Sequence, residues 1–171
     1  NIQSVIDCNN KLNCEKIWFK GYKEYELAPL INDFIENSNF KYYFITSDDA
    51  LLNHTHFESL KHNLQFYDIL SAWALIRQNA HYTTIVKPES FQNYIFKPSF
   101  TTSTFTNNFH THCYKTHEIN SLPDIIHTAF TGWCYTGMKK HIWQEYPFQT
   151  LTWPYSSSDL LFSRRIESDK K

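Results

Sequence analysis

Two adjacent carboxylates, Asp48 and Asp49, are the residues of this sequence with the clearest capacity for chemistry. They follow an apolar and aromatic run, Tyr42–Ile45, which predicts a buried strand. Ligands of open α/β sheets bind outside the carboxyl ends of the strands, and paired acids there suit a divalent cation and the phosphates it carries. The alternative is a solvated Asp-Asp turn, because Asp is common in turns.

The composition narrows the classes of function. The chain has 171 residues and a net charge of -1, so it lacks the excess of Lys and Arg that would bind a nucleic-acid backbone. No apolar run approaches the roughly 20 residues of a membrane span, and no signal peptide opens the sequence. The four cysteines form no CxxC pair, which favours buried free thiols unless the source is oxidising or hyperthermophilic.

Hydrophobic periodicity predicts the elements that would position the carboxylates. The strand–helix–strand order of residues 16–45 predicts a parallel βαβ unit, and we expect native residues upstream of Asn1 to supply the usual first strand. Residues 78–122 lack a clear period, so we expect short strands and long loops that face an acceptor. The predicted helices are 2–8, 26–37, 57–66 (capped by His54 or Thr55), 139–145 and 158–166, and the predicted strands are 16–20, 42–45, 68–76 and 125–133.

The order of these motifs resembles that of glycosyltransferases with the GT-A fold, in particular family-2-like members. The central match is the apolar strand, Ser47-Asp48-Asp49, a helix and a second apolar strand ending at Ile76. Further matches are residues 131–140, followed by Pro147-Phe148, and the element at 158–165, with an Asp, two apolar residues, an aromatic residue and Arg. The compact chain is similar to small viral or archaeal members.

The resemblance implies an α/β fold: one GT-A-like domain over residues 1–171, with a mixed, mostly parallel sheet flanked by helices. Residues 1–76 would form the nucleotide-sugar and metal half, and residues 77–171 the acceptor half. The implied activity is metal-dependent, inverting transfer of a sugar from a nucleotide-diphosphate sugar to a hydroxyl of a glycan, protein or lipid. The implied location is the cytoplasm, or the host cytoplasm for a viral protein.

The resemblance also assigns roles to residues. Asp49 and Asp48 would hold Mn²⁺ or Mg²⁺, and Ser47, Asp48 and Tyr22 would contact the donor. Asp159 would be the general base that takes the proton of the acceptor hydroxyl, although an Asp after three serines is also a good helix cap. Trp133 and Gly132 would contact the acceptor, but core packing also explains most of the aromatic residues.

Departures from the family pattern leave two other functions open. Ser47 stands where a strict DxD motif has its first Asp, Ser158 stands where an acid often precedes the catalytic Asp, and the QxxRW motif of processive synthases is absent. The first alternative is a degenerate, non-catalytic GT-A module that binds a nucleotide, a glycan or a partner. The second is a metal-dependent phosphohydrolase that uses the same carboxylates.

A second group of metal-ligating residues lies at His110, His112, Cys113 and His117. The spacing of the first two would place both on one face of a strand, and zinc accepts such ligands. The spacing matches no closed structural zinc site, so solvated loop histidines are the favoured interpretation.

Overall fold

The structure, a computed structural model, describes residues 10–46, 50, 53–76, 79–90, 109–128, 132–149 and 158–169. These residues form two three-stranded antiparallel sheets and several helices. The helices are α1 (Glu24–Asn37), α2 (His54–Asn63), α3 (Lys140–Glu145) and α4 (Ser158–Asp169), with 3-10 helices at Phe109–His112 and Thr116–Ser121. The strands are β1 (Tyr42–Ile45), β2 (Ile69–Ser71), β3 (Leu75–Ile76), β4 (Asn79–Val86), β5 (Cys113–Lys115) and β6 (Thr136–Lys139).

The chain divides into two compact units. The first unit contains Asn1–Ala72 and Trp133–Thr150, and the second contains Trp73–Gly132 and Leu151–Lys171. The chain returns to the first unit for β6 and α3. The predicted nucleotide-sugar half at residues 1–76 and acceptor half at residues 77–171 stay predictions. A single glycosyltransferase-like domain over residues 1–171 stays a prediction.

The first sheet has β6 at its centre, with β1 on one side and β2 on the other. The register is regular, and Thr136, Gly137 and Met138 of β6 are buried. Gly137 is required here because a Cβ would lie 2.5 Å from a ring carbon of Phe44 and 2.8 Å from a methyl carbon of Leu64. The missing side chain therefore lets β1 and α2 close over the central strand.

The helices of the first unit begin and end at identifiable interactions. Helix α1 has the predicted apolar stripe. At the C-terminal end of α1, the carbonyl oxygens of Glu36 and Ser38 accept hydrogen bonds from the Lys140 side chain of α3. Helix α2 begins at His54 because the Asn53 side chain accepts a hydrogen bond of 2.8 Å from the His56 backbone N–H. These contacts position both helices on the first sheet.

The second sheet has β4 between β3 and β5. Both ladders contain register shifts, and the eight residues of β4 alternate less regularly between buried and exposed positions than a flat strand would. Thr83 is fully buried and donates from its hydroxyl to the Tyr114 carbonyl oxygen at 3.0 Å. Val86 and Cys113 complete the buried side of this sheet.

The predicted α/β fold with a mostly parallel sheet is wrong. Both observed sheets are antiparallel, and no strand pair described here is parallel. The predicted parallel βαβ unit needed a strand at residues 16–20, but these residues form none, and Ile17 and Trp18 are exposed. An apolar run becomes a strand only where a neighbouring strand accepts its backbone hydrogen bonds, and β1 pairs with β6 instead.

Individual elements were predicted with mixed success. Helices α1, α3 and α4 and strand β1 are confirmed, as is the turn at Gly21, which has a φ of 80°. The helix predicted at 57–66 begins and ends three residues earlier, with Asn53 as its cap rather than His54 or Thr55. The strand predicted at 68–76 is two short strands in different sheets, and the described part of 125–133 contains no strand. The helix predicted at 2–8 lies outside the described residues.

Candidate active site

Strands β1 and β2 end at the same edge of the first sheet. Each pairs antiparallel with β6, so the two run in the same direction. Their last residues, Ile45 and Ser71, both lie opposite Thr136, the first residue of β6. We call this side of the sheet, from Ile45 across Thr136 to Ser71, the carboxyl edge.

The predicted metal and donor residues follow β1 directly in the sequence. Ser47, Asp48 and Asp49 lie outside the described residues, whereas Thr46 before them and Ala50 after them are described. Ala50 packs against a buried cluster formed by Leu12, Phe57 and Tyr135. The position of the residue that directly follows Asp49 is therefore set by apolar packing at the carboxyl edge.

This buried cluster, which we call the edge cluster, takes residues from several elements. Its three central side chains are 1–6% exposed, and they come from the segment before α1, from α2 and from the residue before β6. The partly buried residues around it include one from β1 and one that directly follows β2. The edge cluster consists of Leu12, Phe57 and Tyr135, with Phe44, Ala50, Leu60 and Ala72 packed against it.

Tyr135 has a backbone conformation that is uncommon for a side chain of its size. Its φ is 58°, in the left-handed region, where an aromatic residue is strained. Its carbonyl oxygen accepts a hydrogen bond of 3.3 Å from the backbone N–H of Ala72, the residue after β2. The neighbouring hydroxyls of Ser71 and Thr136 are hydrogen-bonded at 2.9 Å. The carboxyl edge is thus held by both backbone and side-chain bonds.

Trp133, a predicted acceptor contact, belongs to an aromatic group in the first unit. Its ring centroid lies 6.2 Å from that of Trp143 and 5.2 Å from that of Phe148, and the last two rings stack at 5.0 Å. Asn32 of α1 anchors the group, because its side-chain amide exchanges two hydrogen bonds with the backbone of Phe148. Trp143 and Phe148 are buried, while Trp133 is half-buried, so core packing accounts for at least one side of the Trp133 ring.

Asp159, the predicted base, lies in the first turn of α4, one residue after the helix begins. It therefore does not occupy the position that precedes a helix, where an N-cap residue lies. Phe162, Ser163 and Ile166 are buried and follow it at helical spacing, so the half-buried Asp159 lies on the buried face of α4. A carboxylate on that face is less usual than one on a solvated face.

The predicted site residues are divided between the two units. Tyr22 and Trp133 belong to the first unit, and Gly132 and Asp159 belong to the second. Tyr22 is 52% exposed and lies in the segment between Gly21 and α1. Each unit therefore carries a separate part of the predicted set.

The histidine and cysteine group of the second unit has a different geometry from the predicted one. His110 and His112 lie in a 3-10 helix rather than on a strand, so the prediction of one strand face is wrong. Burial lowers the pKa of His112, and His110 lowers it further. Burial also raises the pKa of the Cys113 thiol to about 12, despite the opposing charge of Lys87. A neutral, buried imidazole and thiol are typical of packing residues.

In the described part of the chain, no group of three or more His, Cys, Asp or Glu side chains could hold a metal ion. Asp48 and Asp49 lie outside those residues, and their carboxylate oxygens are the hard ligands that Mg²⁺ and Mn²⁺ prefer. The donor set that follows β1 therefore fits the predicted ion by its chemistry.

Sequence reasoning missed Tyr135, Ser71 and Ala72 at the carboxyl edge. A glycine inside a strand pattern, Gly137, was the available signal of a close approach near this edge. No residue type in the sequence indicated the left-handed conformation of Tyr135, because Gly, Asn and Asp are the residues that usually adopt it.

Comparisons with known proteins identified no family for this chain. No protein-family model, curated protein or solved structure matched this sequence. Among the described residues, no helix is both long and apolar enough to span a membrane.

Proposed function

We propose that this protein is a glycosyltransferase that moves a sugar from a nucleotide-diphosphate sugar to an acceptor hydroxyl. The observation that carries the proposal is the carboxyl edge, where β1 and β2 end on either side of β6 and Ser47-Asp48-Asp49 follows β1 in the sequence. The family-2-like resemblance of the sequence supplies the reaction class. The proposal depends on this local arrangement and on the sequence motifs, and it does not require a mostly parallel sheet.

Asp49 and Asp48 are the proposed ligands of Mn²⁺ or Mg²⁺. The bound ion supplies Lewis-acid stabilisation of the charge that develops on the diphosphate leaving group. Ser47, Asp48 and the exposed Tyr22 are the proposed contacts of the donor's nucleotide. The side chains assigned to the metal and the nucleotide would thus come from the segment after β1 and the segment before α1.

Asp159 is the proposed general base. Its carboxylate would accept the proton of the acceptor hydroxyl while that oxygen attacks the anomeric carbon, with inversion of configuration. Its place on the buried face of α4 supports this role over that of a solvated surface acid. The proposed acceptor is a glycan, protein or lipid, held by Trp133 and Gly132, and the proposed location is the cytoplasm (the host's, for a viral protein).

A thermal-shift screen of nucleotide sugars with and without Mn²⁺ tests the function. A donor at a hundred times its dissociation constant should add about 2.7 kcal/mol to the free energy of unfolding. We expect one or a few donors to stabilise the protein only with Mn²⁺, and to transfer sugar when acceptors are added. Hydrolysis of the donor without transfer to any acceptor would favour the phosphohydrolase, and no nucleotide binding at all would favour a non-catalytic module.

A further inference from the structure

The side of the first sheet opposite the carboxyl edge brings basic and aromatic residues together. Strands β1 and β2 begin on this side, and β6 ends there. The backbone N–H of Lys140 donates to the Lys41 carbonyl oxygen, and that of Lys139 to the Asp68 carbonyl oxygen, both at 3.1 Å. We call this surface the amino edge, and it consists of Phe40-Lys41, Phe66-Tyr67-Asp68 and Lys139-Lys140-His141.

The amino edge is basic. It contains three lysines, at 41, 139 and 140, and one acid, Asp68. Lys139 is paired with Asp68 at 2.8 Å, whereas neither of the other two lysines forms an ion pair within the described part of the chain. Lys140 donates to backbone carbonyl oxygens, and the Lys41 ammonium lies 5.0 Å from the centroid of the Tyr42 ring. These contacts leave both positive charges without a neutralising carboxylate.

The aromatic side chains of the amino edge are exposed. Phe66 is 70% exposed, Tyr67 44% and Phe40 39%. Phe66 and Tyr67 follow α2 in a turn, and both of their backbone N–H groups donate to the Asn63 carbonyl oxygen, at 2.9 and 3.2 Å. Single exposed apolar residues are common on protein surfaces, but neighbouring ones mark an interaction site. The turn also fixes the backbone of these residues, so little ordering is needed when a partner binds.

The combination of side chains favours one class of partner. Lysine is depleted in protein–protein interfaces, and nucleic-acid recognition favours arginine and a basic chain. Here the three cations are all lysines, and the net charge of the chain is -1. Lysines attract anionic lipids, and aromatic rings beside them enter the interfacial region of a bilayer. We propose that the amino edge binds the surface of a membrane that contains anionic lipids.

In this arrangement the rings of Phe66 and Tyr67 enter the headgroup region, and Lys41 and Lys140 lie near lipid phosphates. The inference is independent of the proposed glycosyltransferase, because none of the residues assigned to the metal, donor, acceptor or base belongs to the amino edge. Binding at this end of the strands leaves the carboxyl edge, at their other end, uncovered.

Two substitutions remove the two kinds of contact separately. Phe66→Ala removes an apolar ring, and Lys41→Gln removes a charge, and both residues are exposed, so little packing is lost. The matched controls are Ile125→Ala and Lys20→Gln, which change exposed residues of the same kinds outside the amino edge. Circular dichroism shows whether each variant is folded.

The measurement is co-sedimentation with vesicles of phosphatidylcholine, alone or mixed with phosphatidylserine. We expect binding only to vesicles that contain phosphatidylserine, and weaker binding as salt is raised. Lys41→Gln should weaken the partition constant about fivefold, the effect of one lysine near an anionic surface. Phe66→Ala should weaken it about tenfold, because the apolar ring no longer leaves water. Both controls should bind as the wild type does.

Failure of the wild type to bind phosphatidylserine vesicles would overturn the inference and leave the proposed function standing. Equal weakening by Lys20→Gln and Lys41→Gln would also overturn it, because binding would then follow the total charge of the chain. Equal binding to vesicles without phosphatidylserine would contradict the role of the lysines. A labelled single-stranded oligouridylate is tested by fluorescence anisotropy. If it binds, and Lys41→Gln weakens that binding while vesicles do not bind, the amino edge is a nucleic-acid surface instead.

Discussion

The two sheets of this protein have the same number of strands and the same antiparallel pairing, but the chain follows different paths through them. In the second sheet, β3, β4 and β5 are adjacent in the order in which they occur in the chain, and two residues of sequence separate β3 from β4. In the first sheet, β6 arrives from much later in the chain and inserts between β1 and β2. The strand pairs of the first sheet keep one register, whereas those of the second sheet contain register shifts.

This difference determines where each sheet can carry a site. In the second sheet, the strand that follows β3 in the chain is β4, its neighbour in the sheet. In the first sheet, β1 and β2 both leave the sheet at the carboxyl edge, and each is followed by a segment that does not return as a neighbouring strand. Connecting segments held by a regular sheet are where binding residues often lie. The following predictions test this contrast between the two sheets, in order of decreasing effect.

The largest expected effect is that of Asp159→Asn in the second unit. If Asp159 is the base, turnover should fall by about 10²–10⁴-fold with donor affinity unchanged. The free energy of unfolding should fall by no more than about 1 kcal/mol, because Asn keeps the size of the side chain and removes its charge from the first turn of α4. The assay uses the donor and acceptor that the screen identifies.

Asp169→Asn is the control for this prediction, because Asp169 is exposed in the same helix. It should leave turnover unchanged. Retention by Asp159→Asn of more than about a tenth of wild-type turnover would make Asp159 a structural residue.

The next effect tests the close packing of the first sheet. Gly137→Ala should lower the free energy of unfolding by about 1–3 kcal/mol, because the new methyl group overlaps Phe44 and Leu64. Gly21→Ala meets no atom within 4 Å, so only its φ of 80° opposes the substitution, at a cost of about 1 kcal/mol. Urea denaturation measures both. A smaller loss at Gly137 than at Gly21 would contradict the packing described for β6.

The corresponding test in the second sheet is Thr83→Val. The substitution keeps the shape of the fully buried Thr83 but removes the hydroxyl that donates to the Tyr114 carbonyl oxygen, so we expect a loss of about 0.5–1.5 kcal/mol in the free energy of unfolding. Thr116→Val removes an exposed hydrogen bond to the Ala80 carbonyl oxygen, which water can replace. Equal stability changes in the two variants would show that burial of the Thr83 bond contributes little.

The smallest effect concerns acid stability of the second unit. The hydrogen bond from the Lys115 backbone N–H lowers the pKa of Glu118, and Lys87 lowers it further. Glu118 therefore contributes stability above the ordinary Glu pKa, and this contribution is lost as the pH falls through the lowered value. Glu118→Gln should be less stable than the wild type at neutral pH, and the difference should disappear in acid.

Lys87→Met separates the two influences that lower the pKa of Glu118. It removes the weaker influence on Glu118 and keeps the backbone hydrogen bond, so most of the acid dependence should remain. Urea denaturation at several pH values between neutral and acid measures all three proteins. A Glu118→Gln difference that persists unchanged in acid would mean that the charge of Glu118 is not its cause.

The sequence predicted the helices better than the sheets, for a physical reason. Helices α1 and α4 are encoded locally, by apolar residues at helical spacing, and both were found. A strand also needs a partner, and the partner of β1 is β6, which local patterns do not indicate. The run at residues 16–20 has the composition of a strand but no partner among the described strands, so it forms none.

The features of the candidate site also differ in whether local sequence patterns indicate them. The acids at 48, 49 and 159 were found from the sequence because carboxylates beside a strand end or a helix start are visible as residue types. The strained Tyr135 and its bond to Ala72 were not, because they depend on how β2 and β6 come together. Sequence thus indicates candidate acids by their residue type, while the packing at the carboxyl edge requires the fold.

The most direct test of the central claim is a calorimetric titration of the donor into wild type and Asp49→Asn, each with and without Mn²⁺. Asp68→Asn is the control, because Asp68 precedes β2 at the opposite edge of the same sheet and is paired with Lys139 at 2.8 Å. We predict Mn²⁺-dependent binding to the wild type and to Asp68→Asn, and none to a folded Asp49→Asn. Undiminished Mn²⁺-dependent binding by Asp49→Asn would contradict a metal site after β1.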